Sequence, residues 1–363
     1  MTVHLKDIAA YTGVSIKTVS NVINGNNARV SPATRAMVLE AIEKLHYQPN
    51  IAARQLRKAQ VGVLAYAIPD IRNPYFTEIG DIMTRVAEEY KYTLLLDYTY
   101  GPRDPEPDGK IRYIDYAYGS FEKELSVIKG LRPHLIDGVI LDPQALTVDD
   151  IKLEEVKGPL VLLGERVFGA PFDHVLIDNV QAAYQATRHL LELGKRRIAV
   201  IGAQETQSQA PSLRLKGYVR ALQEVNREID ESLMISGGYW HRADGANAMR
   251  YLLSLDNPPD AVFCFNDLMA LGALSVINAN GLRIPEDIAV MGFDNVEEGQ
   301  FSYPTLSTIS PSKEEISRLA ISLLIGRIKG TRTQEPECIQ VPFELCIRSS
   351  TVRNPAGMQI NIS

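Results

Sequence analysis

Ile16, Lys17 and Asn21 stand on one short stretch, Ser15-Ile16-Lys17-Thr18-Val19-Ser20-Asn21-Val22-Ile23-Asn24. Together they have the functional groups that read DNA. A lysine can donate to guanine O6 and N7, an asparagine amide can pair with adenine, and an isoleucine can touch a thymine methyl. Ser15, Thr18, Ser20 and Asn24 are short polar groups suited to phosphates, which position a protein without specifying sequence. A second set suits a different task. Asp142, Asn266 and Asp294 each follow an apolar, strand-like run, and Tyr75-Phe76 lies just beyond the first such run. Arg214 sits in Ser212-Leu213-Arg214-Leu215-Lys216-Gly217, and Trp240, the only tryptophan, follows Gly237-Gly238-Tyr239. Carboxylates, a guanidinium and an amide take hydroxyls in pairs, and an indole covers the apolar face of a sugar. Asp and Asn after strands also cap helices; Asp178, Asn179 and Asp267 read that way. The sequence has no nucleophile elbow, phosphate loop or metal-spaced cluster, so no enzyme and no cofactor are expected.

Three helices must position the first set. Leu5, Ile8 and Ala9 share a face of a helix from Leu5 to Tyr11, which Thr12-Gly13 ends. Ser15 caps a second helix, Ile16 to about Asn24, with Val19, Val22 and Ile23 turned inward. Gly13 can take the positive φ that the tight turn needs. Ser31 caps a third helix opened by Pro32, with Met37, Val38, Ala41, Ile42 and Leu45 as its apolar stripe. Such a head lays its second helix in the major groove. Behind it, Pro49-Asn50-Ile51-Ala52-Ala53-Arg54-Gln55-Leu56-Arg57-Lys58 is written like a helix but is too short to hold one alone. It folds when something outside supplies the missing contacts.

The second set needs a larger frame. Strand-like runs at Val61–Ile68, Tyr92–Leu96, Gly138–Leu141, Pro159–Leu163, Arg197–Ile201, Ala261–Phe265 and Ile288–Gly292 alternate with amphipathic helices. The helices fall at Tyr75–Tyr90, Glu122–Leu131, Val180–Leu193, Leu213–Val225, Asp244–Leu253 and Leu268–Asn280. The alternation predicts parallel sheets covered by helices, in two lobes given nearly 300 residues. Ligands bind beyond the carboxyl ends of such strands, and a cleft between lobes can close on a small molecule.

The 363 residues carry a net charge of −6, but unevenly. Residues 1–60 sum to +5 and the remainder to −11. A basic head on an acidic body suggests that only the head meets a polyanion. No apolar run is long enough to span a membrane and no signal pattern opens the chain, which points to the cytoplasm. Cys264, Cys338 and Cys346 lack metal spacing and read as buried, reduced thiols.

The head and the segment behind it resemble the lactose repressor/galactose repressor (LacI/GalR) family of bacterial transcription regulators. The residues that carry the likeness are Leu5-Lys6-Asp7-Ile8-Ala9, Gly13-Val14-Ser15, Thr18-Val19-Ser20, Val22-Ile23-Asn24-Gly25, Val30-Ser31-Pro32, Leu45-His46-Tyr47 and Pro49-Asn50…Ala53-Arg54…Leu56. The resemblance implies an operator surface of Ser15, Ile16, Lys17, Thr18, Ser20, Asn21, Asn24, Ser31, Ala53, Arg54 and Leu56. Two hinge copies, one per subunit, would become helical in the minor groove, with Leu56 as the wedge that kinks the DNA. Many members have Arg where this chain has Asn21, so its operator is expected to differ at that base. The body resembles the type I periplasmic-binding-protein fold. That implies effector contacts from Tyr75, Phe76, Asp142, Arg214, Trp240, Asn266 and Asp294.

The expected architecture is α/β. Residues 1–48 form a three-helix helix-turn-helix head, 49–60 a hinge helix, 61–355 a two-lobed effector-binding and dimerisation domain, and 356–363 a tail. The tail has no leucine heptads, so a homodimer is the expected unit. The expected function is repression of carbohydrate genes, relieved when a small sugar releases the protein from double-stranded operator DNA. A nucleobase corepressor and a sugar-binding transport protein are the alternatives. The Tyr-rich stretch 98–118 is longer than the usual family connection. It either shapes the cleft mouth or dimer surface or is a plain surface elaboration.

Overall fold

The computed structural model describes residues 3–23, 30–45, 47, 60–99, 101–102, 116–117, 120–129, 135–151, 156, 158–204 and 210–353. The positions Asn24, Ala53, Arg54 and Leu56, most of the hinge 49–60, most of the Tyr-rich stretch and the end of the tail lie outside the described residues. The chain divides into two compact units, Met1–Val61 and Gly62–Ser363.

The first unit holds helices Leu5–Thr12, Ile16–Ile23 and Pro32–Lys44. Gly13 ends the first in the left-handed region at φ +69°. Ser15 Oγ accepts from Thr18 N at 3.1 Å and so starts the second. Ser31 Oγ accepts from Thr34 N at 3.2 Å, with Pro32 at the first helical position. Ile8, Ala9, Val19, Val22, Val38 and Ala41 are buried together, with Val14, Ile23, Ile42 and Leu45 packed against them. Met37 departs from the expected stripe: it is exposed.

The second unit contains two sheets of six strands. In the first lobe the order is β2 (Thr93–Tyr98), β1 (Val63–Ile68), β5 (Gly138–Leu141), β6 (Leu160–Leu163), β7 (Asp173–Leu176), β13 (Cys338–Gln340), all parallel. In the second it is β9 (Met234–Ile235), β8 (Ile198–Ile201), β10 (Ala261–Cys264), β11 (Ala289–Phe293), β12 (Ser307–Pro311), β14 (Phe343–Cys346). Only β14 there is antiparallel. Each lobe thus places its second strand outside its first and adds the others on the opposite side, so the two repeat one topology. Helices cover both faces, which is why β1, β5, β6, β8, β10 and β11 read as continuous apolar runs. Helices Arg242–Leu253 and Asp267–Ala279 cross so closely that a Cβ on Gly245 or Gly272 would strike the other's backbone.

The chain crosses between lobes three times. It leaves the first after β7 for helix Asn179–Glu192, returns after β12 for helix Lys313–Ile328, and leaves again between β13 and β14. In the Tyr-rich stretch, Gly101–Pro102 (β3) pairs antiparallel with Tyr116–Ala117 (β4). Cys264 is buried as expected, but Cys338 on edge strand β13 is exposed and Cys346 half-buried. All three are free thiols.

Candidate functional site

Helix Ile16–Ile23 is too short for stability of its own and depends on packing. Val19 and Val22 are its buried anchors, and they turn Ile16 and Lys17 outward. Ile16 is 49% exposed, unusual for an isoleucine without a partner surface. Asn21 is half-buried on the same helix. The Ser15 and Thr18 hydroxyls lie 2.9 Å apart, and those of Ser31 and Thr34 2.8 Å apart. Ser15 and Ser31 therefore act as caps first, with lone pairs and protons left for an outside partner.

In the second unit, strand carboxyl ends from both lobes converge on a cavity of about 340 Å³. Tyr75, Phe76, Asp142, Arg214, Trp240, Asn266 and Asp294 all line it. Asn73 caps helix Pro74–Glu89, accepting from Tyr75 N at 3.1 Å, and so aims Tyr75 and Phe76 at the cleft. The two rings pack edge to face at 5.3 Å. Arg214 reaches in from helix Ala210–Glu224. Its Nε donates to Asn179 Oδ1 at 2.7 Å, an NH group donates to the Phe265 carbonyl, and the guanidinium lies 3.5 Å above the Phe293 ring. Asn266 caps helix Asp267–Ala279 through Met269 N and donates Nδ2 to the Trp240 carbonyl at 2.8 Å. Trp240, Asp294 and Asn295 all hold positive φ, at 66°, 116° and 50°. Such strain costs on the order of 1–3 kcal/mol per residue and gathers where side chains must be aimed.

The cavity is rich in acid. Asp142 and Asp294 are nine-tenths buried or more, and so is Glu165, which follows β6. Burial pushes Asp142 up to about 8, helped by the charge of Glu165. Burial likewise pushes Asp294 to about 8, against the pull of Arg214. Glu165 rises to about 7 by burial, again opposed by Arg214. Burial also raises Tyr75, as do the charges of Asp294 and Asp142. Arg166, the other lining cation, spends its guanidinium on the Leu146 and Ala145 carbonyls at 2.8 and 2.9 Å.

Three positions depart from the sequence reading. Asn179 is more than a cap-region residue: its amide donates to Glu165 Oε1 at 2.6 Å and accepts from Arg214, so it joins the lobes. Asp267 is not a cap, a role that falls to Asn266. Asp267 is buried, accepts from Thr308 Oγ1 at 2.7 Å and Val296 N at 2.9 Å, and burial pushes it to about 7. Glu165 was missed. Gly164-Glu165-Arg166 carries no motif, and its only signal is its place just after a strand. Asp178 does cap its helix, accepting from Gln181 N at 2.8 Å.

Known proteins were compared with this chain. Residues 4–50 match the model for bacterial regulatory proteins of the lacI family, and residues 187–351 match that for a periplasmic binding protein-like domain. The repressor CytR of Escherichia coli is 33% identical over 349 residues, 96% of each chain. The repressor PurR of Pasteurella multocida is 31% identical over 348 residues, 95% of this chain and 98% of that one. Among solved structures, a complex of the transcriptional regulator CelR with cellobiose is 32% identical, with a TM-score of 0.67 over 96% of this chain and 99% of that one. A head of three packed helices, two lobes around one cavity and likeness along nearly the whole chain agree: the chain belongs to the LacI family of DNA-binding transcriptional repressors.

Proposed function

We propose that this repressor controls carbohydrate-utilisation genes and leaves its palindromic operator when a small, uncharged sugar fills the cleft. The observation that carries this reading is the cavity's cluster of buried carboxyls. Asp142, Glu165 and Asp294 face it, while Arg214 and Arg166 are engaged with protein groups. Among the described residues, no side chain or backbone group donates to the Asp294 carboxylate. With Asp142 and Asp294 raised to about 8, these carboxyls can both donate to and accept from hydroxyls at neutral pH, and with the two arginines engaged the lining suits a neutral sugar better than a sugar phosphate. Trp240 supplies the flat apolar surface that a sugar ring needs.

The unit is a homodimer acting on DNA in the cytoplasm, divided as head 1–48, hinge 49–60, effector domain 61–355 and tail 356–363. Lys17, Asn21 and Ile16 read bases in the major groove. Ser15, Thr18, Ser20, Asn24 and Ser31 meet phosphates. Ala53, Arg54 and Leu56 enter the minor groove, with Leu56 as the wedge. Ligand in the cleft changes the angle between lobes, and through the paired hinges changes operator affinity.

The test uses the full chain. Its thermal midpoint and the emission of Trp240 are measured against cellobiose, glucose, their phosphates and purine and pyrimidine bases. A ligand that binds the folded state raises the midpoint by mass action. A hit among neutral sugars that also releases the protein from DNA supports the reading. A hit confined to nucleobases, or one that tightens DNA binding, replaces it with corepression.

A further inference from the structure

Beneath the floor of the cleft lies a buried carboxylate that does not line it. Glu124, on helix Phe121–Lys129, is 0% exposed. Its Oε1 accepts from Gln144 N at 2.8 Å and Ala145 N at 3.1 Å, and its Oε2 accepts from Ala145 N and Leu146 N, both at 3.0 Å. Three successive backbone N–H groups thus converge on one anion, as in a nest. The carbonyls of Ala145 and Leu146 are held as well, by Arg166. This segment follows β5 and Asp142 and carries Gln144 into the cavity wall. There Gln144 Nε2 donates to Asp142 Oδ1 at 2.8 Å. That bond orients the Asp142 carboxyl and leaves its Oδ2 to meet a ligand.

We propose that Glu124 is a positioning residue for effector binding: by holding the backbone of 144–146 it places the Gln144 amide, and through it the Asp142 carboxyl, where the effector meets them. The inference rests on the effector reading of the cleft, though not on the effector being a sugar. A loop after a strand needs partners for its N–H groups, but water or a neutral side chain supplies them at less cost than a buried anion. What a fully buried carboxylate adds is fixed geometry. Each of its bonds here is charge-assisted, and breaking one leaves a buried group unpaired. Glu124 itself stands on a firm base. Its N donates to the Ser120 carbonyl at 2.8 Å, and Ser120 N donates to the Thr99 carbonyl at 2.8 Å. Thr99, 0% exposed, donates through both N and Oγ1 to the Ile68 carbonyl at the end of β1. A continuous line of bonds so runs from β1 through the start of helix Phe121–Lys129 to Asp142.

The full chain is compared with Glu124→Gln, which keeps the shape but sets an NH2 group against an N–H, and with Gln144→Ala, which keeps the backbone clamp and removes the amide. Backbone hydrogen exchange is measured first, without ligand. In Glu124→Gln the amides of residues 144–146 should exchange about tenfold faster or more, while β5 and helix Phe121–Lys129 stay as protected as in wild type. In Gln144→Ala the exchange of Ala145 and Leu146 should be unchanged. Affinity is then measured for glucose, cellobiose, adenine and cytosine. Any of these that binds wild type should bind both variants about tenfold more weakly, while affinity for an operator selected from random duplexes stays the same. Unchanged exchange at 144–146 would overturn the proposal. So would faster exchange across the whole lobe, or a Glu124→Gln chain that does not fold, since each marks a residue that holds the fold and not the site. Equal ligand affinity in wild type and Glu124→Gln would also overturn it, and would leave the sugar reading standing. If only adenine or cytosine binds, the sugar reading falls and the affinity test of Glu124 is unaffected. If none of the four binds, the exchange result decides alone.

Discussion

Asp294 combines three costs at one residue: burial, a positive φ and a carboxyl held near neutral pH by its surroundings. A buried acid whose folded pKa is raised holds a proton that the unfolded chain releases. Its contribution to stability is therefore neutral below about pH 4 and grows more unfavourable up to about pH 8. Asp294→Asn removes that dependence. The variant should be more thermostable than wild type at pH 8.5 by a few degrees, with the gap closing toward pH 6. The buried His174 and His189, both pulled down by burial, change stability in the opposite sense, but equally in both proteins. The same variant should bind operator normally and ignore the effector. A normal effector response in gel-shift titrations would remove Asp294 from the ligand's contacts. All seven expected effector positions line the cavity because each sits beyond a strand end or opens a helix, which local pattern reveals. Glu165 and Asn179 also follow strands, but that place alone does not tell a cap or a surface acid from a residue that joins the lobes. Their importance lies in a bond between lobes, and no local pattern encodes which residues two lobes bring together.

At the scale of elements, the legible strands were those buried on both faces, such as β1, β5 and β10, because burial writes itself as an unbroken apolar run. β7 (Asp-His-Val-Leu), β12 (Ser-Thr-Ile-Ser-Pro) and the short edge strands β13 and β14 carry polar residues and escaped. Helix Lys313–Ile328 escaped for the reverse reason. It packs against helix Pro74–Glu89 and the sheet together, so its apolar residues ring it instead of forming a stripe. Its far end shows what fixes the crossing. Asp173 on β7 is fully buried and accepts from Arg327 Nε at 2.8 Å, Arg332 NH2 at 3.0 Å and Glu337 N at 2.9 Å. This cluster staples the end of the helix and the approach to β13 onto the first lobe. Burial works against the Asp173 carboxylate, but Arg327 and Arg332 more than offset it and keep the carboxyl below its ordinary range. Asp173→Ala leaves Arg327 without its anion and Arg332 with only the exposed Glu337, 2.9 Å away, and breaking a buried pair this way costs about 3–5 kcal/mol. Chemical denaturation should show a loss of that order at neutral pH. The loss should shrink as pH falls below about 4, where the unfolded chain takes up a proton, and vanish only at the lower pH where the folded carboxylate protonates. A loss under about 1 kcal/mol would mean that the crossing is held by packing alone.

At the scale of the whole molecule, the design problem is to make one lobe angle matter. Three chain crossings join the lobes, each only a few residues long. Lys313 sits at the second crossing and reaches both sides. Its ammonium pairs with Glu78 of the first lobe and donates to the Asn295 carbonyl of the second at 2.8 Å, close behind Asp294. Glu78 also accepts from Glu297 N at 3.2 Å, so one carboxylate gathers donors from the crossing and from the opposite lobe. A charge with this many partners holds the angle better than it stabilises the fold, because much of its attraction repays desolvation. Lys313→Met keeps the aliphatic stem and removes the clamp. The variant should fold, bind ligand and bind operator, but the factor by which ligand lowers operator affinity should shrink. Allosteric coupling of this kind spans about 5- to 150-fold, and loss of a clamp between the two moving parts should bring it toward the lower end. Operator titrations with and without saturating ligand measure that ratio directly. An unchanged ratio would show that the angle is set by the crossings themselves, and Lys313 would then be only a buried cation with good partners.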